Sequence, residues 1–225
     1  MKKDNFILIG VPNGSGMFPS IMVQSLLQLH KPCSCAFMVV ERQMIEIARN
    51  GIAKEAIEKG VSHLLFVDDD NPIPPDTLEK MLEDDKDIVI APIVTRNPNK
   101  EGNHTLCAFY KREVGGVDLY EPIKDFIENG DLHKIDAGGT GCMLIKIEVL
   151  KKLNEIYQER IFERTRQIFD KPIVVDGHEF TERTMSEDVQ FCERAVNAGF
   201  EVWLDSRIKP LHIGNNTLLQ WQPGQ

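Results

Sequence analysis

The stretch HLLFVDDDNPIPPDTLEKML, residues 63–82, decides the fold. Residues 64–67 are an apolar run of the length and kind found in a strand buried on both faces, so helices are expected on either side of it. The run ends directly in Asp68, Asp69 and Asp70. Three carboxylates at one strand end repel each other and lose hydration, so a cation, hydrogen-bond donors or a ligand must offset them. Asn71-Pro72 then reads as a turn, and residues 75–82 as a helix.

The same alternation extends upstream. Residues 6–11 form an apolar strand that ends in Pro12-Asn13-Gly14-Ser15-Gly16, a loop signal. Residues 19–29 carry apolar side chains at helical spacing, and residues 36–40 (AFMVV) read as a second strand. Residues 41–59 read as a long helix with Ile45, Ala48, Ile52 and Ala56 on one stripe, closed by Gly60. Downstream, residues 87–91 (DIVIA) are a fourth strand. Residues 95–117 read as a loop followed by a strand, and residues 135–141 are glycine-rich. Residues 142–147 are a strand, 148–162 a helix, 186–198 a helix closed by Gly199, and 201–204 a short strand. The tail, 215–225, is polar with two isolated apolar anchors. Strands alternating with helices predict an α/β domain with a mostly parallel central sheet flanked by helices. In open sheets of that type ligands bind beyond the strand carboxyl ends, where residues 12–16 and 68–71 both lie.

The 225 residues carry a net charge of −9, which disfavours a general electrostatic grip on nucleic acid or anionic membrane and suits an acidic site that recruits a divalent cation. The five cysteines are odd in number and scattered, and Cys33-Ser34-Cys35 is not a C-x-x-C, so reduced, mostly buried thiols are expected rather than a disulfide framework or a zinc site. The apolar run in MKKDNFILIGV is too short for a signal sequence or a membrane span. No transmembrane segment is expected, and the cytoplasm is the expected location.

Two acids at one strand end followed by a turn make a hard-oxygen site for Mg2+ or Mn2+. If the chain stays extended, Asp68 and Asp70 point the same way and Asp69 the other. The alternative is a solvated loop end, with Asp76 capping the helix that follows. A second informative stretch is MSEDVQFCERAVNAGFEVWLDSRIKPLHIG, residues 185–214. Ser186 is a candidate N-cap. Glu187 and Asp188 fall in the first helical turn, where the helix dipole favours negative charge. They read either as ordinary capping acids or as a general base held at a helix start. His212, between Pro210 and Gly214, is either a structural histidine or a ligand. The other five histidines show no metal spacing.

Taken in order, these stretches resemble the small single-domain glycosyltransferases of the A-type fold, the family 2-like group of bacterial, archaeal and phage enzymes. The resemblance spans residues 5–214. FILIGVPNG is similar to the first strand and nucleotide-binding loop, HLLFVDDDNPIPPDTLEKML to the strand that carries the D-x-D motif, and DIVIAPIVTR to the next strand and turn. GGTGCMLIKIEVL resembles the acceptor-side loop, SEDVQFCERAVNAGFEVWLD the E-D helix, and His212 the late metal-binding histidine. The implied fold is a single GT-A, nucleotide-diphospho-sugar transferase domain over 1–225. Its nucleotide-binding half covers about 1–95 and its acceptor half about 96–214.

The resemblance implies Asp70 and His212 as ligands of Mn2+ or Mg2+, with Asp68 near the metal or the ribose. Pro12, Asn13, Arg42, Asp68 and Asp69 would bind the nucleotide-sugar. Asp188, with Glu187 beside it, would be the base, and Gly139, Thr140 and Gly141 would shape the acceptor pocket. The implied activity is metal-dependent transfer from a nucleotide diphospho-sugar, a UDP-sugar first, to an acceptor hydroxyl with inversion. UDP-glucose, UDP-galactose, UDP-N-acetylglucosamine and a GDP-sugar all fit as donors. The acceptor is a glycan, a lipid-linked intermediate, a protein or a modified DNA base. The competing readings are a non-catalytic nucleotide-sugar binding module and a phosphatase or phosphotransferase with an aspartate nucleophile. The first loop, V-P-N-G-S-G, departs from the threonine- or arginine-containing version of the family.

Overall fold

The computed structural model describes residues 5–123, 130, 132–214 and 217–221. The elements run β1 (Phe6–Asn13), α1 (Ser20–Gln28), β2 (Ser34–Glu41), α2 (Ile45–Lys59), β3 (His63–Val67), α3 (Thr77–Glu83) and β4 (Ile88–Ile90). They continue with β5 (Ala108–Val114), β6 (Val117–Pro122), β7 (Leu132–Ile135), β8 (Ala137–Gly138), β9 (Cys142–Lys146) and α4 (Ile147–Tyr157). The last are β10 (Thr165–Val175), β11 (His178–Met185), α5 (Glu187–Asn197), β12 (Val202–Asp205), β13 (Leu211–Ile213) and β14 (Leu218–Gln220).

Seven strands form one sheet in the order β2-β1-β3-β9-β4-β12-β7. β1 pairs parallel with β2 and β3, and β12 pairs parallel with β4. β9 is inserted antiparallel between β3 and β4, and β7 lies antiparallel on β12. The fold is α/β, but the sheet is mixed rather than mostly parallel as expected. The cause is the path of the chain after β4. Among the described residues no helix carries it back to the start of the sheet, and residues 139–141 feed β9 in at the carboxyl end of β3, where Val67 faces Cys142. A strand entering from that end runs against its neighbours.

Helices cover both faces, as the unbroken apolar run of β3 requires. Leu64 and Phe66 pack with Ile52, Ala53 and Ala56 of α2, Leu150 and Leu153 of α4, and Phe191 and Ala195 of α5. Leu65 and Val67 pack on the other face with Met22 of α1 and Leu78 and Met81 of α3. The α2 contact is close: a Cβ on Gly10 would lie 2.4 Å from Ile52 Cγ2. Phe162 fills the space between α2 and α5. Its ring stacks on Phe191 at 4.5 Å and meets the edge of Phe66 at 5.4 Å, and the Asn50 amide bonds its backbone N–H and C=O.

Several boundaries differ from the expected ones. The helix expected from residue 41 begins at Ile45, because Glu41 stays in β2 and Arg42 turns the chain with φ +55°. The helix expected to reach 162 ends at Tyr157, where Gln158 adopts φ +51°. β10 and β11 form a hairpin through Asp176-Gly177, both at positive φ, a two-residue turn that matches strand twist. Part of the expected tail is ordered structure, since β14 pairs with β13 and Trp221 is buried. Residues 215–216 and 222–225 of that tail, and 124–129 and 131 of the expected acceptor half, lie outside the described residues. Among the described residues no helix is long and apolar enough to cross a membrane.

Candidate functional site

The site lies at the carboxyl ends of β1 and β3. The chain does not stay extended through the acids: the Asn71 N–H bonds the Asp68 carbonyl at 3.1 Å, closing a turn. Asp68 and Asp70 therefore take different partners instead of acting as one same-facing pair.

Asp68 meets Arg49, a buried residue of α2. One guanidinium nitrogen lies 3.0 Å from each Asp68 oxygen, and the other bonds Glu187 at the start of α5. Burial works against the charge of Arg49, and Asp68, Glu187 and Asp188 more than restore it. Burial raises the Glu187 pKa above its ordinary value even though Arg49 pulls it down, and the Arg49 guanidinium bonds its carboxylate. Glu187 is thus the counter-ion of Arg49. Sequence reasoning missed Arg49, although the signal was present: it lies next to Ala48 and three residues before Ile52, on the buried stripe of α2.

Asp69 turns to the first loop, where the nearby Gly14 N–H favours its charged form. Burial and then the Asp68 charge still push it above the ordinary carboxylate value.

Asp70 meets His212. β13 runs along the acidic turn, with the Leu211 N–H on the Pro72 carbonyl at 2.8 Å and the Ile213 N–H on the Asp70 carbonyl at 2.9 Å. This places His212 Nε2 3.3 Å from Asp70 Oδ2. His212 Nδ1 lies 2.6 Å from the Val94 carbonyl, which can only accept, so Nδ1 carries the proton. Burial lowers the imidazole pKa below its ordinary value, which favours the neutral ring. Nε2 then presents a lone pair to a carboxylate oxygen. Two acceptors so placed favour a cation beside them; the Arg96 guanidinium supplies one on Asp70 Oδ2, and the oxygen–imidazole pair is also a fitting donor set for Mn2+ or Mg2+. Arg96, exposed and also unrecognised from sequence, bonds the same Asp70 oxygen. No group of three or more His, Cys, Asp or Glu suited to a metal occurs among the described residues. Two protein ligands are enough where substrate phosphates and waters complete the shell, as is usual for Mg2+.

The first loop is folded on Asn13, which is buried with Pro12. Asn13 Oδ1 accepts from the Gly16 N–H at 2.7 Å and the Ser15 hydroxyl at 3.2 Å, and its carbonyl accepts the Arg42 N–H at 2.9 Å. The Asn13 Nδ2 donor is buried without a hydrogen-bond partner. Arg42 is exposed, and its side chain lies over Gly16, where a Cβ would meet Nε at 2.7 Å. The strained backbone of Arg42 is thus part of this loop.

Asp188 stands in the first turn of α5. Ser186 occupies the N-cap position, but its hydroxyl bonds the Asp188 carboxylate rather than a backbone N–H. Asp188 Oδ1 also accepts the Val189 N–H at 2.8 Å. Oδ2 lies on the side of Gly139, 3.7 Å from where a Cβ there would stand. Of the three residues expected at the acceptor pocket, Gly139 borders Asp188, whereas Thr140 and Gly141 are buried, Gly141 against the acidic turn. The Gly141 carbonyl accepts the Asp68 N–H at 3.0 Å, and a Cβ on Gly141 would lie 2.4 Å from Asn71 Oδ1.

No family model matches the chain, and no curated protein matches it by sequence. Among solved structures it is similar to the crystal structure of A197 from STIV, with 14% identity and a TM-score of 0.53 over 98% of this chain and 100% of that chain. At that identity the likeness is one of fold, spanning nearly the whole of both chains, and it assigns no role to any side chain.

Proposed function

We propose that this chain is a metal-dependent glycosyltransferase of the A-type fold that moves a sugar from a nucleotide diphospho-sugar, a UDP-sugar first, to an acceptor hydroxyl. The observation that carries this reading is the Asp70–His212 pair, two acceptors 3.3 Å apart at the carboxyl ends of the sheet. The first loop and the Asp188 carboxylate supply the other parts the reaction needs.

Asp70 and His212 would hold Mn2+ or Mg2+, whose charge, when bound, stabilises the departing diphosphate. The loop at residues 12–16 would receive the nucleoside, with Asp69 drawn to it through Gly14. Asp188 is the base. Ser186 and the Val189 N–H hold Oδ1, which orients the carboxylate, and Oδ2 takes the proton of the acceptor hydroxyl. The acceptor oxygen bonds the anomeric carbon as the carbon–phosphate-oxygen bond breaks, and the electron pair leaves with the nucleoside diphosphate. Attack opposite the leaving group inverts the anomeric centre. A phosphatase with Asp68 as nucleophile is disfavoured, because Arg49 engages both Asp68 oxygens.

Calorimetric titration with UDP, GDP, CDP and dTDP, with and without Mn2+, tests the reading, with Asp70→Ala as control. The expected result is metal-dependent binding of one nucleotide that the substitution abolishes. If no nucleotide binds under any metal condition, the reading fails.

A further inference from the structure

Asp70 Oδ2 has two neighbours that a bound cation would affect differently. It lies 3.3 Å from His212 Nε2, and it is also the oxygen bonded by the Arg96 guanidinium. Both arrangements depend on one short segment. Val94 supplies the carbonyl that fixes the His212 tautomer, and Arg96 follows two residues later.

The backbone before Arg96 is anchored. The Thr95 N–H bonds the Thr105 carbonyl at 2.8 Å, and Thr95 Oγ1 accepts the Thr105 N–H at 3.0 Å. The Arg96 side chain is different: it is 48% exposed, and among the described residues its ion pair is with Asp70. Its Asp70 partner is 18% exposed, so the pair is only partly screened, but the half-exposed guanidinium can leave for solvent when a stronger cation takes the oxygen. A cation seated on Asp70 and His212 takes the oxygen that Arg96 holds, and like charges cannot share it closely. The freed guanidinium would then stand on a fixed backbone beside the metal, where a diphosphate would complete the coordination. A planar fork of N–H donors matches phosphate oxygens in pairs.

We propose that Arg96 is a diphosphate-binding residue, held on Asp70 in the metal-free protein and released to the donor's diphosphate when a divalent cation takes Asp70. This rests on the metal-dependent transferase reading and adds to it an order of events, metal before nucleotide.

The test compares wild type, Arg96→Ala and Arg96→Lys by calorimetry, first with Mn2+ alone. The second titration, at saturating Mn2+, uses whichever nucleoside diphosphate binds wild type, with its monophosphate as control. Arg96→Ala should bind Mn2+ more tightly by about twofold to fivefold or more, the worth of one partly exposed ion pair. It should bind the diphosphate roughly tenfold or more weakly, the worth of a charge-assisted hydrogen bond. The monophosphate should change less, and Arg96→Lys should fall between. A merely structural role would weaken both ligands together, and that result overturns the proposal, as does an unchanged diphosphate affinity. If wild type binds neither Mn2+ nor any nucleotide, the transferase reading falls and takes this proposal with it. If wild type binds both and only the Arg96 comparisons fail, the transferase reading stands alone.

Discussion

One nitrogen of the Arg49 guanidinium lies 3.0 Å from both carboxylate oxygens of Asp68. The other reaches Glu187, so a single buried cation ties the end of β3 to the start of α5. Removing it would strand two carboxylates. Arg49→Ala should cost about 3–5 kcal/mol in urea unfolding, the usual penalty for breaking a buried ion pair. A triple variant, Arg49→Met with Asp68→Asn and Glu187→Gln, should recover much of that loss. A cost for Arg49→Ala below about 1 kcal/mol would put this cluster in the class of solvated surface pairs and remove its structural role.

Asp188 and Glu187 are adjacent but do different work. Glu187 is spent on Arg49, whereas Asp188 has one oxygen beside Gly139. On the proposed transferase reading, Asp188→Asn should reduce sugar transfer by about 10²–10⁴-fold, the range for loss of a general base, with donor affinity nearly unchanged. Single-turnover kinetics beside nucleotide titration separates the two effects. Equal losses of binding and transfer would make Asp188 a structural residue.

Gly141 is where the acceptor-side loop meets the acidic turn. A methyl group there would stand 2.4 Å from Asn71 Oδ1 and 2.7 Å from Ile93 Cδ1. Gly141→Ala should destabilise by about 1–3 kcal/mol, as overpacking does. On the proposed metal-dependent reading it should also weaken Mn2+ binding, because the displaced turn carries Asp70. Gly139→Ala should be milder in stability, since its Cβ would find Cys107 Cβ at 3.3 Å. Thermal unfolding with and without Mn2+ distinguishes these outcomes, and equal behaviour of the two variants would contradict the geometry.

Asp84 and Asp205 predict a pH dependence. Burial, and then the neighbouring Asp205 charge, raise Asp84 from 3.8 to about 7, although Arg207 bonds both acids. The folded chain therefore keeps a proton there that the unfolded chain releases near 3.8. In that window the native state binds more protons, so stability falls as pH rises through it and levels off above about 7. Asp84→Asn should be more stable than wild type above this window and lose the advantage in acid. Urea midpoints from about pH 4 to about pH 9 check the sign, and a wild-type curve that rises across the window would refute it.

The first half of the fold was legible because β1, β3 and β4 are buried on both faces and β2, although a partly exposed edge strand, is still an apolar run. The apolar runs of β1, β2, β3 and β4 and the stripe of α2 each carry their own periodicity. The β10–β11 hairpin was not read, because most of its side chains are exposed and its segment has no apolar alternation. Its Asp176-Gly177 turn was the available sign. In the candidate site, the acidic triplet, the Glu187-Asp188 pair and His212 were singled out from residue type and place alone.

The sequence by itself determined that three acids end a buried strand, that charge of this density needs compensation, and that helices must cover both faces of the sheet. These follow from local composition, which each segment carries wherever it packs. Only the tertiary structure decided how the compensation is divided. Asp68 goes to Arg49, nineteen residues back in the chain, Asp69 towards the first loop near Gly14, and Asp70 to Arg96 and His212, the last 142 residues away in sequence. It also decided that β9 runs against its neighbours, because the chain re-enters the sheet at the end it had just left. Partnerships of this kind depend on which strand ends and helix starts the packing brings within hydrogen-bond reach, and no local pattern of residues records that.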